Sequence, residues 1–323
     1  FENITSRAAL ASYHFVGKKD KTAADKAAVD VMRNLLNNLD IQGKIVIGEG
    51  ELDEAPMLYI GEKVGTGQGL EIDIAVDPLE GTNFAANNLP GALSVLAVAE
   101  KNNLFHAPET YMNKIAVGCN IPKNAIDLDN SLKKNIYNLA DCKNKDITEL
   151  TACLLDRPRH KKIIEELNEL KVNLKLISDG DISGALLVSN EKYGVDIFMG
   201  IGGGPEGVLA ASALDAYNCN FQGRFIFKEE NDISRAKKMG IKELDRKYEL
   251  SEIISGDSIF CATGITSGDL VNGIEIIEDK YSSETLVTHK KSNTKKVIKR
   301  TENLTSWFQS PIKYGVKDKL KKG

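Results

Sequence analysis

Strand-like and helix-like segments alternate along nearly the whole chain, and that alternation limits the fold more than any other feature. It is the mark of α/β proteins, in which the helices between strands cover the sheets. Residues 22–39 carry Ala24, Ala27, Ala28, Val31, Leu35 and Leu39 at helical spacing, with Thr22 placed to cap the first turn. Residues 44–47 predict a short strand ended by Gly48, and residues 71–77 alternate through Ile72, Ile74 and Val76 as a half-buried strand does. Residues 92–98 and 174–177 predict buried strands, the second followed by an abrupt Asp179-Gly180-Asp181 turn. Residues 195–199 predict a strand that runs into a glycine-rich loop and a helix over 205–217, and 258–262 a late strand. Polar stretches at 120–148 and 228–248 read as surface connections with helical pieces. At about 150 residues per domain, 323 residues make two units or one large one, and the division is placed as 1–145 and 146–323.

Charge and cysteine usage narrow the function. The net charge is −4, a poor starting point for nucleic-acid binding unless the basic charge is concentrated. It is concentrated over 286–323, with 11 Lys and Arg against 2 Asp and Glu. Such an end suits RNA, an anionic membrane surface or a phosphorylated ligand, or else it is a solvated strand and tail. Few aromatics interleave the charges there, Trp307 and Phe308 among them, so the solvated reading is preferred and neither nucleic acid nor membrane is expected as a partner. The longest apolar run, 92–99 with Ser94 inside it, falls far short of the roughly 20 residues that span a bilayer. The opening residues show no secretory pattern. Cys119, Cys142, Cys153, Cys219 and Cys261 form no CxxC motif, so the cytoplasm is the expected location. The four histidines form no HExxH pair, so any metal has to be held by carboxylates, which favours Mg²⁺ or Mn²⁺ over zinc.

Four segments carry the chemistry. Asp25 lies on a helical row with Val29, Met32 and Leu36, where a carboxylate is costly unless paired or metal-bound; Lys21, one turn earlier, is a candidate partner. Gly48-Glu49-Gly50-Glu51 puts two acids directly after a strand, where open α/β sheets place ligands. Asp77-Pro78-Leu79-Glu80-Gly81-Thr82 brings two carboxylates to one side of a tight turn, with backbone N–H groups and a hydroxyl beside them. The loop from Gly200 to Gly207 follows a strand and opens a helix at Pro205, but it fails the dinucleotide fingerprint and lacks the GK[ST] of a P-loop. Glu206 there either compensates the helix dipole or binds a metal.

Together these segments resemble the class II, GlpX-type fructose-1,6-bisphosphatases of bacteria. The matching blocks are Gly-Lys-Lys-Asp-Lys-Thr-Ala-Ala-Asp at 17–25, Ile-Gly-Glu-Gly-Glu-Leu-Asp-Glu-Ala-Pro-Met-Leu-Tyr at 47–59, Asp-Pro-Leu-Glu-Gly-Thr at 77–82, Ile-Gly-Gly-Gly-Pro-Glu-Gly-Val at 201–208 and Ala-Thr-Gly-Ile-Thr-Ser-Gly-Asp-Leu at 262–270. The third block also resembles the wider lithium-sensitive, metal-dependent phosphatases. The resemblance implies a layered αβαβα sandwich and a cytoplasmic sugar bisphosphatase of gluconeogenesis that requires Mn²⁺ or Mg²⁺. By matched positions it implies metal ligation by Asp25, Glu49, Asp77, Glu80 and Glu206. It implies substrate contacts at Glu80, Gly81, Thr82, Tyr111, Arg157, Pro158, Arg159, Asp179, Gly180, Asp181 and Gly203. Most metal ligands would then lie in the first unit, with the substrate contacts and one ligand in the second. A homo-oligomer is expected. One departure is that the stretch 225–236 is shorter than the family usually carries.

The residues make chemical sense of that reading. A sugar bisphosphate brings about four negative charges, so an acidic pocket requires cations. Thr82 is expected to orient or activate the attacking water, with Asp25 as its hydrogen-bond partner and Lys21 holding Asp25 or the phosphate. Direct attack by the hydroxyl is less favoured, because no histidine base lies in the segment. Arg157 and Arg159, two apart in an extended segment, would grip the second phosphate. Asp179 and Asp181 would accept from sugar hydroxyls, cap the following helix, or do both. Tyr111 either hydrogen-bonds a phosphate or packs as core. The alternatives within the superfamily are sedoheptulose 1,7-bisphosphate, alone or in addition, and an inositol phosphate.

Overall fold

The computed structural model describes residues 1–50 and 57–304. Glu51 and the aromatic end of the basic segment, Trp307 and Phe308, lie outside the described residues. Two mixed sheets form the frame. The first contains β1 (Ile41–Ile47), β2 (Lys63–Val64), β3 (Leu70–Glu80), β4 (Leu93–Glu100), β11 (Ser258–Gly264), β12 (Glu275–Ile277), β13 (Lys280–His289) and β14 (Thr294–Asn303). Its order is β12-β13-β11-β4-β3-β1-β2, with β14 paired to β13. The second contains β5 (Tyr111–Val117), β6 (Thr151–Leu155), β7 (Asn173–Ile177), β8 (Ile197–Gly203), β9 (Asn220–Ile226) and β10 (Lys247–Glu249), in the order β10-β9-β5-β8-β6-β7.

The helices make this a five-layer αβαβα sandwich. Helices α1 (Glu2–Tyr13) and α2 (Lys21–Asn37) cover the outer face of the first sheet, through a core that includes Leu10, Met32, Leu36, Ile45 and Ile74. The short helix α3 (Thr82–Ala86) joins that core through Phe84 and Ala85. Helices α4 (Leu132–Lys143) and α5 (Lys161–Glu169) cover the outer face of the second sheet over Ile115, Val117, Leu154 and Ile197. Between the sheets lie α6 (Asp181–Leu186), α7 (Gly204–Ala216) and α9 (Leu250–Ile253), packed on Ala75, Val95 and Phe260 from one sheet and on Met112, Phe198 and Phe221 from the other. Helix α7 is apolar all round because it has a sheet on either side, so it shows no amphipathic stripe. Helix α8 (Glu230–Lys238) opens with a capping box between Glu229 and Asp232, and β9 ends at Ile226, so regular structure fills most of the short 225–236 connection.

Several local expectations are corrected. Sheet membership does not follow a division at residue 145. Strand β5 lies in the second sheet, and β11 to β14 return the chain to the first, where Ser258–Gly264 pairs antiparallel with β4. Helix α2 begins at Lys21, and its cap is Asp20, whose carboxylate accepts from Ala23 N at 2.9 Å, rather than Thr22. Strand β3 is buried continuously from Ile72 to Val76, because helices cover both faces of its sheet. Strand β7, expected to be buried, is an edge strand with Leu176 exposed. No described helix is long and apolar enough to cross a membrane.

Candidate active site

The carboxyl ends of the parallel strands β1 and β3 in one sheet, and of β6, β7 and β8 in the other, supply the loops that meet between the layers. Along β3, Asp77 and Glu80 are three apart, which in a regular strand puts them on opposite faces. A bulge prevents this. Asp77 pairs with Val95 and Glu80 with Leu93, so three steps on β3 match two on β4. The extra residue restores parity and turns both carboxylates toward the middle layer. Pro78 suits the bulge because it has no ladder N–H to lose.

Asp25, Glu49, Asp77, Glu80 and Glu206 form one electrostatic cluster. Burial is the largest cause of the raised pKa of each. Burial brings Asp25 up to about 6. Glu49 rises to about 8, with the charges of Asp25, Glu109 and Glu206 adding to burial. Asp77 stands well above the usual carboxylate range through burial, then its hydrogen-bonded neighbour Glu80 and the charges of Glu49 and Glu206. Glu80, 5% exposed, rises to about 8 through burial and Glu206, although the hydrogen bonds from Asp77 and Ile182 N oppose the rise. Asp77 and Glu80 are hydrogen-bonded to each other, so they titrate as a pair, and burial disfavours the charged form of both. The row behind Asp25 is buried as expected, at Val29, Met32 and Leu36. Lys21 is exposed and makes no ion pair with Asp25.

The glycine-rich segment after β8 makes room for carboxylates. A Cβ on Gly202 would stand 2.1 Å from the Asp181 carboxylate, and one on Gly203 would stand 1.8 Å from that of Glu206. Gly48 does similar work, since its Cβ would fall 1.9 Å from the Leu58 carbonyl. Gly203 caps α7, Pro205 lies in the first turn but after Gly204, and Glu206 follows.

The remaining expected residues gather around this cluster, not always as foreseen. Thr82 opens α3 behind Gly81, whose φ of 77° takes the left-handed region. No hydrogen bond joins the Thr82 hydroxyl to Asp25. Arg157 and Arg159 are not on one extended face, because Pro158–His160 is a 3₁₀ turn. Arg157 approaches Asp179 at 3.8 Å. The Arg159 Nε donates to Ile201 O at 2.8 Å, and its guanidinium sits 5.0 Å from the Tyr111 ring centroid. His160 holds the turn: Nδ1 donates to Leu155 O, while Nε2 accepts from Ile201 N at 2.7 Å. Nε2, as an acceptor, carries no proton, and burial lowers the pKa of the ring. Tyr111 is exposed rather than core, with the Lys228 ammonium 4.8 Å from its ring centroid. It lines a cavity of about 420 Å³ with Glu109, Gly203, Glu206 and Lys228. Asp179 does not cap the helix that follows it; its Oδ2 accepts from Asn83 N at 3.2 Å instead. Asp181 accepts from Lys114.

Lys114 and Glu109 escaped the sequence reading. Lys114 is 2% exposed, on the inward row of β5 between Met112 and Ala116, and its ammonium also donates to Gly203 O at 2.7 Å. A lysine at the centre of an alternating apolar row was the available signal. Glu109 precedes β5 with no such pattern around it.

The donor set suits a hard divalent cation, since it offers five carboxylates at high mutual potential. As the side chains stand, no group of three or more His, Cys, Asp or Glu residues among those described is drawn together closely enough to hold an ion. The electrostatics carry a pH consequence. Folded-state pKa values of about 8 for Glu49 and Glu80 lie above the roughly 4.3 of an unfolded glutamate, so the folded chain binds more protons between these limits. The contribution of these two groups in a chelating buffer is therefore full below roughly pH 4.3 and is lost as pH rises to about 8. Thermal denaturation across that range checks the effect, and a flat or rising melting temperature from pH 6 to 8.5 would contradict it.

A family model described as bacterial fructose-1,6-bisphosphatase, glpX-encoded, matches residues 1–302. The fructose-1,6-bisphosphatase 1 class 2 of Escherichia coli K12 is 44% identical over 318 residues, covering 94% of this chain and 93% of that protein. The class 2 fructose-1,6-bisphosphatase of Haemophilus influenzae is 40% identical over 323 residues, covering 96% of each. A Synechococcus elongatus protein named D-fructose 1,6-bisphosphatase class 2/sedoheptulose 1,7-bisphosphatase is 39% identical over 320 residues, covering 91% of this chain and 92% of that one. With that coverage, and with the acidic cluster at the strand ends, the chain belongs to the bacterial GlpX-type family of fructose-1,6-bisphosphatases.

Proposed function

We propose that this chain removes the 1-phosphate of fructose 1,6-bisphosphate, giving fructose 6-phosphate and phosphate, with Mn²⁺ or Mg²⁺ held by Asp25, Glu49, Asp77, Glu80 and Glu206. The observation that carries this is that five carboxylates, from α2, the end of β1, β3 and the first turn of α7, lie near enough to raise one another's pKa, with Glu80 directly before the Gly81 cap of α3. When bound, the ions supply charge neutralisation, a more acidic water and support for the leaving oxygen.

The protein's own groups do the rest. Thr82 orients the attacking water through its hydroxyl, while Asp25, which makes no hydrogen bond to that hydroxyl, serves as a metal ligand. Tyr111, Arg157 and Arg159 hold the second phosphate, and Asp181, tied to Lys114, faces the sugar. In this reading Lys21, exposed at the start of α2, meets a phosphate rather than holding Asp25. The absence of any disulfide among the five cysteines accords with a cytoplasmic enzyme, and we expect a homo-oligomer.

Phosphate release from fructose 1,6-bisphosphate, sedoheptulose 1,7-bisphosphate and an inositol phosphate, each with Mn²⁺, Mg²⁺ or chelator, tests the reading. Cation-dependent turnover is expected, with the first substrate preferred. Thr82→Ser should keep measurable activity and Thr82→Ala should lose nearly all of it, about 100-fold or more. Unimpaired Thr82→Ala would remove the hydroxyl from the reaction, and absence of bisphosphate turnover with either ion would overturn the function.

A further inference from the structure

The turns before α3 and α6 are built alike and complete each other. Each helix has a glycine N-cap in the left-handed region, Gly81 at φ 77° and ψ 49°, Gly180 at φ 82° and ψ 62°. Glycine has no side chain with which to cap, so the first N–H groups of both helices need partners from elsewhere. The acid that precedes each glycine serves the opposite helix. The Glu80 Oε1 accepts from Ile182 N, the second residue of α6, at 2.7 Å. The Asp179 Oδ2 accepts from Asn83 N, the second residue of α3, at 3.2 Å. Phe84 packs where the turns meet, since a Cβ on Gly81 would come within 2.9 Å of its ring and one on Gly180 within 3.1 Å. Glu80 ends a strand of the first sheet and Asp179 follows a strand of the second, so the exchanged caps join the two layers beside Thr82.

We infer that Asp179 is a positioning residue. Through the Asn83 N–H it sets the start of α3, and with it the Thr82 hydroxyl, while its other oxygen lies 3.8 Å from Arg157. The inference rests on the bisphosphatase reading for its kinetic consequence but not for the cap itself.

Two substitutions separate the roles. Asp179→Ala removes the acceptor, whereas Asp179→Asn keeps an oxygen that can accept the same N–H. For Asp179→Ala, kcat for fructose 1,6-bisphosphate should fall at least about tenfold with KM within about threefold of wild type, as expected when a reacting group is misplaced. Asp179→Asn should recover a third or more of the wild-type kcat. Hydrogen exchange by mass spectrometry on the full chain, without metal or substrate, should show faster exchange over residues 82–86 in Asp179→Ala and near-normal exchange in Asp179→Asn. A raised KM with kcat preserved in Asp179→Ala would show a sugar contact and overturn the proposal. So would Asp179→Asn behaving as badly as Asp179→Ala, or unchanged exchange at α3. If the wild-type protein hydrolyses no bisphosphate, the functional reading fails, and the exchange measurement alone decides the cap.

Discussion

Asp77→Asn and Glu206→Gln should each lower cation-dependent phosphate release from fructose 1,6-bisphosphate at least about 100-fold, the scale expected when metal-assisted catalysis loses a ligand. Both carboxylates sit where burial and like charges push their pKa up. Neither loss should unfold the protein, because each substitution removes a charge from a crowded cluster. The melting temperature in chelator should hold or rise, while the increment on adding Mn²⁺ shrinks. That pairing separates a damaged site from a damaged fold. Turnover within a few-fold of wild type in both variants would break the ligand assignment.

Lys114→Met should cost both stability and activity. The ammonium is buried, hydrogen-bonded to Asp181 and to the Gly203 carbonyl, and its charge opposes the rise in the Glu206 pKa. Removing one partner of a buried pair leaves the other charge uncompensated, which typically costs about 3–5 kcal/mol. Urea denaturation should show a loss of that size, and kcat/KM should fall at least about tenfold because Asp181 loses its anchor. Adding Asp181→Asn to Lys114→Met should return much of the stability, since no lone carboxylate then remains, but not the activity. A single variant as stable as wild type would mean that water or another group already compensates Asp181.

The architecture was legible where one face of an element is decided locally. Residues 22–39 announced a helix because one-sided burial imposes its period on the residues themselves, while 92–98 showed as a continuous apolar run and 205–217 as a helix opened by Pro205 after a glycine-rich loop. Pattern reading failed where burial depends on distant neighbours. Strand β3 alternates in sequence but is covered on both faces, and β7 is apolar but lies at an edge. Sheet membership crosses residue 145 for the same reason. Nothing local in 258–303 says that the chain returns to pair with β4, because a strand's partner is chosen by long-range hydrogen bonding and shared packing.

The acidic residues of the site were chosen by the sequence: Asp77 and Glu80 around Pro78, Glu206 in the first turn of a helix, and Asp25 on an apolar row are written in neighbouring residues, and 94% of the chain aligns with a named bisphosphatase. Only the tertiary structure decided what those residues do to one another. It put a bulge under Asp77 and Glu80, brought Lys114 beneath Asp181, and sent Asp179 across the layers to the helix that bears Thr82. Hydrogen bonds and charges act over a few ångströms of space, however many residues separate the partners, so a one-dimensional pattern records which groups are present but not which of them meet.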